Sequence, residues 1–307
     1  MRASKRLVPV FAVMAAVCLA GSGTAPTAKT PYGADKAKEY QKAAAEFCGV
    51  PVEKSVDIAE GVTMNFVLIP AGTFFMGSPT TESQRDRNEG PAHDITISKP
   101  YYLGKFEVTQ KQWNGFFAGT VFARKEFKFP GDNMPADSIS GFEAEKFLMD
   151  LSSRLSMKFR LPTEAEWEHA CRAGTQTPFY TGDTISTSQA NYDGSKTYAS
   201  GAKGLQLKQT VDIGMYPPNP FGLHDMHGNV WEWCMDWFDA DYYKESPGTD
   251  PTGPPTGGSR VIRGGCWQSH PTKCRSAERD AYNPSKSNDT IGFRVLLEVA
   301  PVTPATE

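Results

Sequence analysis

Beyond Gly174 the chain loses its hydrophobic period. Before that point apolar residues recur at helix or strand spacing. From there to about Arg260, glycine, proline, asparagine and tyrosine dominate and no spacing is sustained. The glycine and proline totals, 28 and 23, are high for a helical protein. The chain therefore reads as a loop-rich α+β domain, in which a small amount of early regular structure positions long irregular segments. The active surface is expected in the second half. No internal repeat is visible.

The early segments carry readable signals. FVLIPAGTFFMG is an apolar strand broken at Pro70 and Gly72, a hairpin or bent strand pair that opens a sheet. HDITIS alternates, and YYLGKFEVT supplies another strand. Thr109 is placed to cap a helix carrying Trp113 and Phe116 or Phe117. Ser140 with Glu143 reads as a capping box, followed by Phe142, Ala144, Phe147, Leu148 and Leu151 at helical spacing. LPTEAEWEHACRAG repeats the device with Thr163 and Glu166, and Gly174 ends it. SRVIRGG and IGFRVLLE are the closing strands.

The N-terminus reads as an export signal over residues 1–23. Arg2, Lys5 and Arg6 precede the uncharged run Leu7–Ala20, which is too short for an ordinary membrane span. Cys18 raises lipidation as an alternative to plain cleavage, with Val17 a poor fit directly before it. Residues 24–61 read as a linker and a short helix, DKAKEYQKAAAEF, and 62–300 as the domain. The mature protein is expected outside the cytoplasm: periplasmic, at the cell surface or extracellular. Membrane contact is expected only through an N-terminal anchor. A net charge of -3 gives no field to steer nucleic acid. Without Cys18 an odd set of thiols remains: Cys48, Cys171, Cys234, Cys266 and Cys274. There is no CxxC pair, GxSxG, phosphate-binding glycine loop or HExxH.

LHDMHGNVWEW sets two carboxylates, Asp225 and Glu232, on either side of Gly228 and Asn229. Glycine lets the backbone turn its carbonyls inward, and hard oxygen ligands of this kind suit calcium. The competing reading is an ordinary turn with a solvated Asp225 and a Glu232 paired to an arginine. His224 and His227 form HxxH, a weaker hint of zinc. Trp231, Trp233, Trp237 and Trp267 make either an aromatic ligand floor or core. A Cys234–Cys274 disulfide would staple two long loops, worth roughly 2–5 kcal/mol in an oxidising compartment.

Six segments, FVLIPAGTFFMGS, YYLGKFEVTQKQW, RLPTEAEWEHACRAG, NPFGLHDMHGNVWEWCMDW, RVIRGGCW and IGFRV, stand in an order that resembles the formylglycine-generating enzyme (sulfatase-modifying factor) family. The resemblance runs from about Val62 to Glu298. It implies an elaborated C-type-lectin-like fold and an oxidase that converts a sulfatase cysteine to formylglycine with copper held by two cysteines. It also implies a calcium site on the Asp225 side chain, the Gly228 and Val230 carbonyls and Glu232. A second such site would use Asn191, but no aspartate follows before Asp212. Counted forward from Gly265, Ser269 falls at the first copper-binding cysteine, His270 at the neighbouring histidine, Cys274 at the second cysteine, and Cys266 at a serine. Counting back from Pro284 gives a different register. A serine hydroxyl cannot replace a thiolate on Cu(I). Cys171 matches half of a family disulfide whose partner position here is Val295.

Three functions follow from these readings. One is an exported binding or accessory module for a protein or small-molecule ligand, using the surface around Trp267, Trp231, Ser269 and His270. Another is an enzyme of other chemistry on the same pocket. The third is an oxidase with a shifted Cys266–Cys274 thiol pair.

Overall fold

The structure of the protein is a computed structural model that describes residues 26–300. The expected signal peptide and Cys18 lie outside the described residues. In chain order the elements are β1 (Ala28–Lys29), α1 (Ala34–Cys48), β2 (Glu53–Ala59), β3 (Val62–Ile69), β4 (Gly72–Met76), β5 (His93–Ile97) and β6 (Tyr101–Gly104). Next come α2 (Gln110–Phe116), α3 (Gly141–Leu155), β7 (Phe159–Arg160), α4 (Glu164–Arg172) and β8 (Trp231–Trp237). The chain closes with β9 (Arg260–Arg263), β10 (Arg279–Tyr282), β11 (Ile291–Gly292) and β12 (Leu296–Glu298). This is an α+β fold, and no long helix or strand forms between α4 and β8.

The strands build three sheets in the orders β2-β3-β6-β12-β7, β1-β4-β5 and β10-β9-β8-β11. The break at Pro70 and Gly72 is a sheet change: β3 pairs with β2 and β6, whereas β4 pairs with β1 and β5. β2 lies in a stretch read as linker and helix. Only Val56 and Ile58 of EKSVDIA turn fully inward, so its alternation is faint. Helix α1 packs onto the domain: Ala37 and Ala44 are buried, and the Gln41 amide donates to the Leu68 and Phe221 carbonyls at 2.9 Å each.

Capping explains where the helices start. Glu143 N donates to Ser140 Oγ at 3.2 Å and Ser140 N to Glu143 Oε2 at 2.8 Å. Thr163 and Glu166 do the same at 3.1 and 2.8 Å. Such caps are worth about 1 kcal/mol each. Phe142 departs from its reading: it is 49% exposed, off the face formed by Ala144, Phe147, Leu148 and Leu151. Helix α4 is buried along its whole length. Its carboxylates meet buried arginines: Glu164 pairs with Arg279, and Glu168 with Arg172 and Arg263. This ionic layer fixes α4 against β9 and β10, the strands that flank the turn bearing the thiols.

Candidate functional site

Two turns meet in the second half of the chain. The first runs from Asp225 to Glu232. Its backbone is left-handed at Asp225, Gly228 and Asn229, with φ of 58°, 85° and 60°. A β-carbon on Gly228 would collide with the Asn191 carbonyl oxygen, so glycine is required there. The turn is tied to its surroundings through Asn229, whose Nδ2 donates to Glu107 Oε2 at 2.7 Å and whose Oδ1 accepts from Val211 N at 3.0 Å. Val230 N donates to Glu107 Oε1 at 3.2 Å.

Three carboxylates are thereby buried together: Glu107, Asp225 and Glu232. One guanidinium answers them. Arg294 donates to Glu232 at 2.8–3.2 Å, and Trp167 Nε1 donates to the same carboxylate at 2.8 Å. Asp225 Oδ2 accepts from Gly214 N at 2.7 Å, while its Oδ1, and Asn191 Oδ1, are buried with no partner among the described residues. Burial pushes the Asp225 carboxyl up to about 6, against the Gly214 amide and Arg294. Burial, then the charges of Asp225 and Glu232, push Glu107 well above the usual carboxylate range.

The donors fit a hard cation: excess buried negative charge, an orphaned carboxylate oxygen, and a glycine turn. Glu232 is paired to an arginine, as the competing reading of the turn has it, but Asp225 is buried rather than solvated. Among the described residues, the carboxylate triad whose oxygens converge is instead Asp86, Glu89 and Glu278, and Lys273 and Arg275 already neutralise it. HxxH does not form a zinc pair: His224 Nδ1 bonds the Tyr216 carbonyl, and buried His227 accepts from Tyr180 N.

The second turn carries the thiols. Gly264 and Gly265 are left-handed, with φ of 96° and 79°. A β-carbon on Gly265 would lie 2.5 Å from Cys274 Sγ. Cys266 N donates to Ser269 Oγ at 3.0 Å, Ser269 N donates to the Cys266 carbonyl at 2.9 Å, and Cys266 Sγ lies 3.2 Å from Ser269 Oγ. Ser269 thus locks the turn through its hydroxyl. His270 turns back on its own backbone, with Nδ1 accepting from Thr272 N at 3.2 Å.

The expected Cys234–Cys274 bond is not formed. All five described cysteines are unpaired. Cys234 packs in a core with Trp167 and Met226, and Cys274 in another with Phe179, Tyr192 and Tyr198. Cys266 belongs to a third. Burial pushes every one of these thiols up; nearby Asp236 and Glu164 add to it at Cys234, and neighbouring Cys266 adds to it at Cys274. Ser269 puts a hydroxyl where the resemblance implies the first copper-binding cysteine, and the two nearby thiols, Cys266 and Cys274, are buried in different clusters. In the native protein Cys234 and Cys274 are expected to resist alkylation until denaturant unfolds the chain. Rapid native labelling of Cys274, read by mass mapping, would contradict this burial.

Of the two readings of the tryptophans, the packing favours core. Trp231 and Trp267 are each only 7% exposed and belong to the core, as Trp233 does. What reaches the surface beside Trp267 is Phe129 and Lys128, which the sequence reading did not single out. Glu107 was missed as well; a lone carboxylate leaving an apolar strand was its only signal. A cavity of about 770 Å³ lies elsewhere, lined by Tyr101, Tyr102, Arg160, Met235 and Leu297, and none of the predicted site residues borders it.

A profile of the sulfatase-modifying factor enzyme 1-like domain matches residues 55–299. The chain belongs to this family. Among family members it is similar to the formylglycine-generating enzyme of Streptomyces coelicolor, 30% identical over 280 residues that cover 76% of this chain and 88% of the relative. It is also similar to a Chlamydia pneumoniae protein named serine/threonine-protein kinase pkn1, 32% identical over 274 residues. That match covers 81% of this chain, but the chain spans only 40% of the relative's length. Of solved structures, PvdO from Pseudomonas aeruginosa superposes with a TM-score of 0.68 at 30% identity, over 80% of this chain and 98% of PvdO.

Proposed function

We propose that the protein is an exported binding or accessory member of the sulfatase-modifying factor family that does not carry out the copper-dependent oxidation of cysteine. The observation that carries this reading is the place of Ser269. Its hydroxyl closes the turn onto Cys266 N, at the position where the resemblance puts a copper-binding cysteine. Soft Cu(I) needs soft ligands, a serine hydroxyl is a hard one, and the nearby thiols Cys266 and Cys274 are buried. The buried carboxylates beside the glycine turn support a structural calcium ion held by Asp225 with the Gly228 and Val230 carbonyls. Glu232 and Glu107 would shape that site.

The close approach of Cys274 Sγ to Gly265 favours one competing reading, a shifted Cys266–Cys274 pair. A single experiment separates the two. A cysteine-containing sulfatase-type peptide is incubated with the protein, copper and oxygen and followed by mass spectrometry. The peptide is expected to keep its thiol. Loss of sulfur with aldehyde formation, abolished by Cys266→Ser, would overturn the proposal.

A further inference from the structure

Beside the Ser269 turn an ammonium group already sits in a box. Lys128 Nζ lies 5.3 Å from the ring centre of Trp267 and 5.3 Å from that of Phe129. The two rings meet edge to face at 5.6 Å with a 90° interplanar angle. Asp289 Oδ2 closes the box 2.5 Å from Nζ. The negative faces of two aromatic rings and one carboxylate are what an organic cation selects, and they are poor donors for a hard metal ion.

The walls do not depend on the lysine. Trp267 is buried, and its Nε1 donates to the Asp289 carbonyl at 3.4 Å. Phe129 is held through its backbone: Gln110 Nε2 donates to the Phe129 carbonyl and Gly131 N to Gln110 Oε1, each at 2.9 Å. Lys128 itself is 53% exposed at the end of a flexible stem, so an outside cation can take its place. A second carboxylate stands behind Asp289: Asp137 is fully buried, its Oδ2 has no partner among the described residues, and it feels the charges of both Asp289 and Lys128.

We propose that Trp267, Phe129 and Asp289 form a binding niche for an organic ammonium group, such as a quaternary amine or the side chain of a lysine on a partner, with Lys128 as its internal occupant in the free protein. This rests on the binding-module reading and gives that module a ligand class. Lysine competes for the niche intramolecularly, so wild type should bind an external ammonium weakly, and removing the competitor should reveal the site.

The test is a choline titration of the full chain, followed by NMR at the Trp267 indole Nε1–H, which the Trp267→Phe variant identifies. Lys128→Ala should give a saturable shift with a midpoint at least about tenfold below that of wild type. Lys128→Arg, which keeps a cation in the box, should behave as wild type does, and adding Asp289→Asn to Lys128→Ala should abolish the gain. No saturable shift in folded Lys128→Ala, or equal binding of choline's uncharged carbon isostere, would overturn the proposal. The outcome is independent of thiol chemistry. A failed titration with an intact peptide thiol removes only the ligand class, whereas formylglycine production removes the module reading whatever choline does.

Discussion

Replacing Arg275 by methionine is expected to cost the domain about 3–5 kcal/mol of stability, because a buried cation is removed and its carboxylates stay behind. The Arg275 guanidinium donates to Glu82 at 2.7 Å, to Glu89 at 2.6 Å and to Glu278 at 2.9 Å, and none of the four side chains is more than 4% exposed. Burial alone would push Glu89 up; hydrogen bonds and charge from Arg275 outweigh it and hold the carboxyl down at about 2. The sign of the pH dependence follows. A carboxyl with a depressed folded-state value contributes stability above its unfolded value, about 4.3, and loses it as pH falls through about 2. The part of the Arg275 effect owed to Glu89 should therefore shrink on acidification. Urea unfolding of wild type and Arg275→Met along a pH series measures it. A loss below about 1 kcal/mol near neutral pH, with an unchanged dependence on urea, would show that the pair is replaceable at no cost.

That network also shows what a sequence can and cannot reveal. Arg275 and Glu278 sit in one short segment, but Glu82 and Glu89 come from a polar loop far upstream that reads only as surface. Charged residues in loops are ordinarily solvated, and nothing local marks these as buried. The helices were legible because their signals are local: Ser140 with Glu143, and Thr163 with Glu166, lie within one turn of each other. Phe142 misled because an apolar residue next to a cap mimics the inward face. The glycine turn at 225–232 was legible because its two carboxylates and its glycine stand within eight residues, although the Asn191 carbonyl that crowds Gly228 comes from far upstream. Its partners Glu107 and Arg294 were not, since each arrives from a distant strand or strand end. The thiols failed for the same reason. Cys234 and Cys274 share a loop-rich half, but membership of separate cores is decided by long-range packing that no spacing encodes.

Calcium is expected to raise the melting temperature of metal-stripped protein by about 5–10 °C at concentrations well above its dissociation constant. A ligand at a hundredfold excess over that constant contributes about 2.7 kcal/mol, and a domain of this size shifts about 2–4 °C per kcal/mol. The gain comes from neutralising charge that folding buries. Without a cation, Asp225 carries a folded-state value near 6, raised chiefly by burial. A carboxyl raised in this way stabilises the fold below its unfolded value, about 3.9, and that contribution is lost as pH climbs through 6. Metal-stripped protein should thus lose stability over this window while calcium-loaded protein does not, and the calcium gain should be larger at about pH 7.5 than at about pH 5. Asp225→Asn keeps the side chain's shape, frees the fold from the buried charge, and weakens the cation's strongest donor. It should melt near or above stripped wild type and respond little to calcium. Scanning calorimetry of both proteins, with calcium and with chelator, reads all four states. An unchanged melting point of stripped wild type on calcium addition would remove the site, and an equal calcium response in Asp225→Asn would move it to other donors.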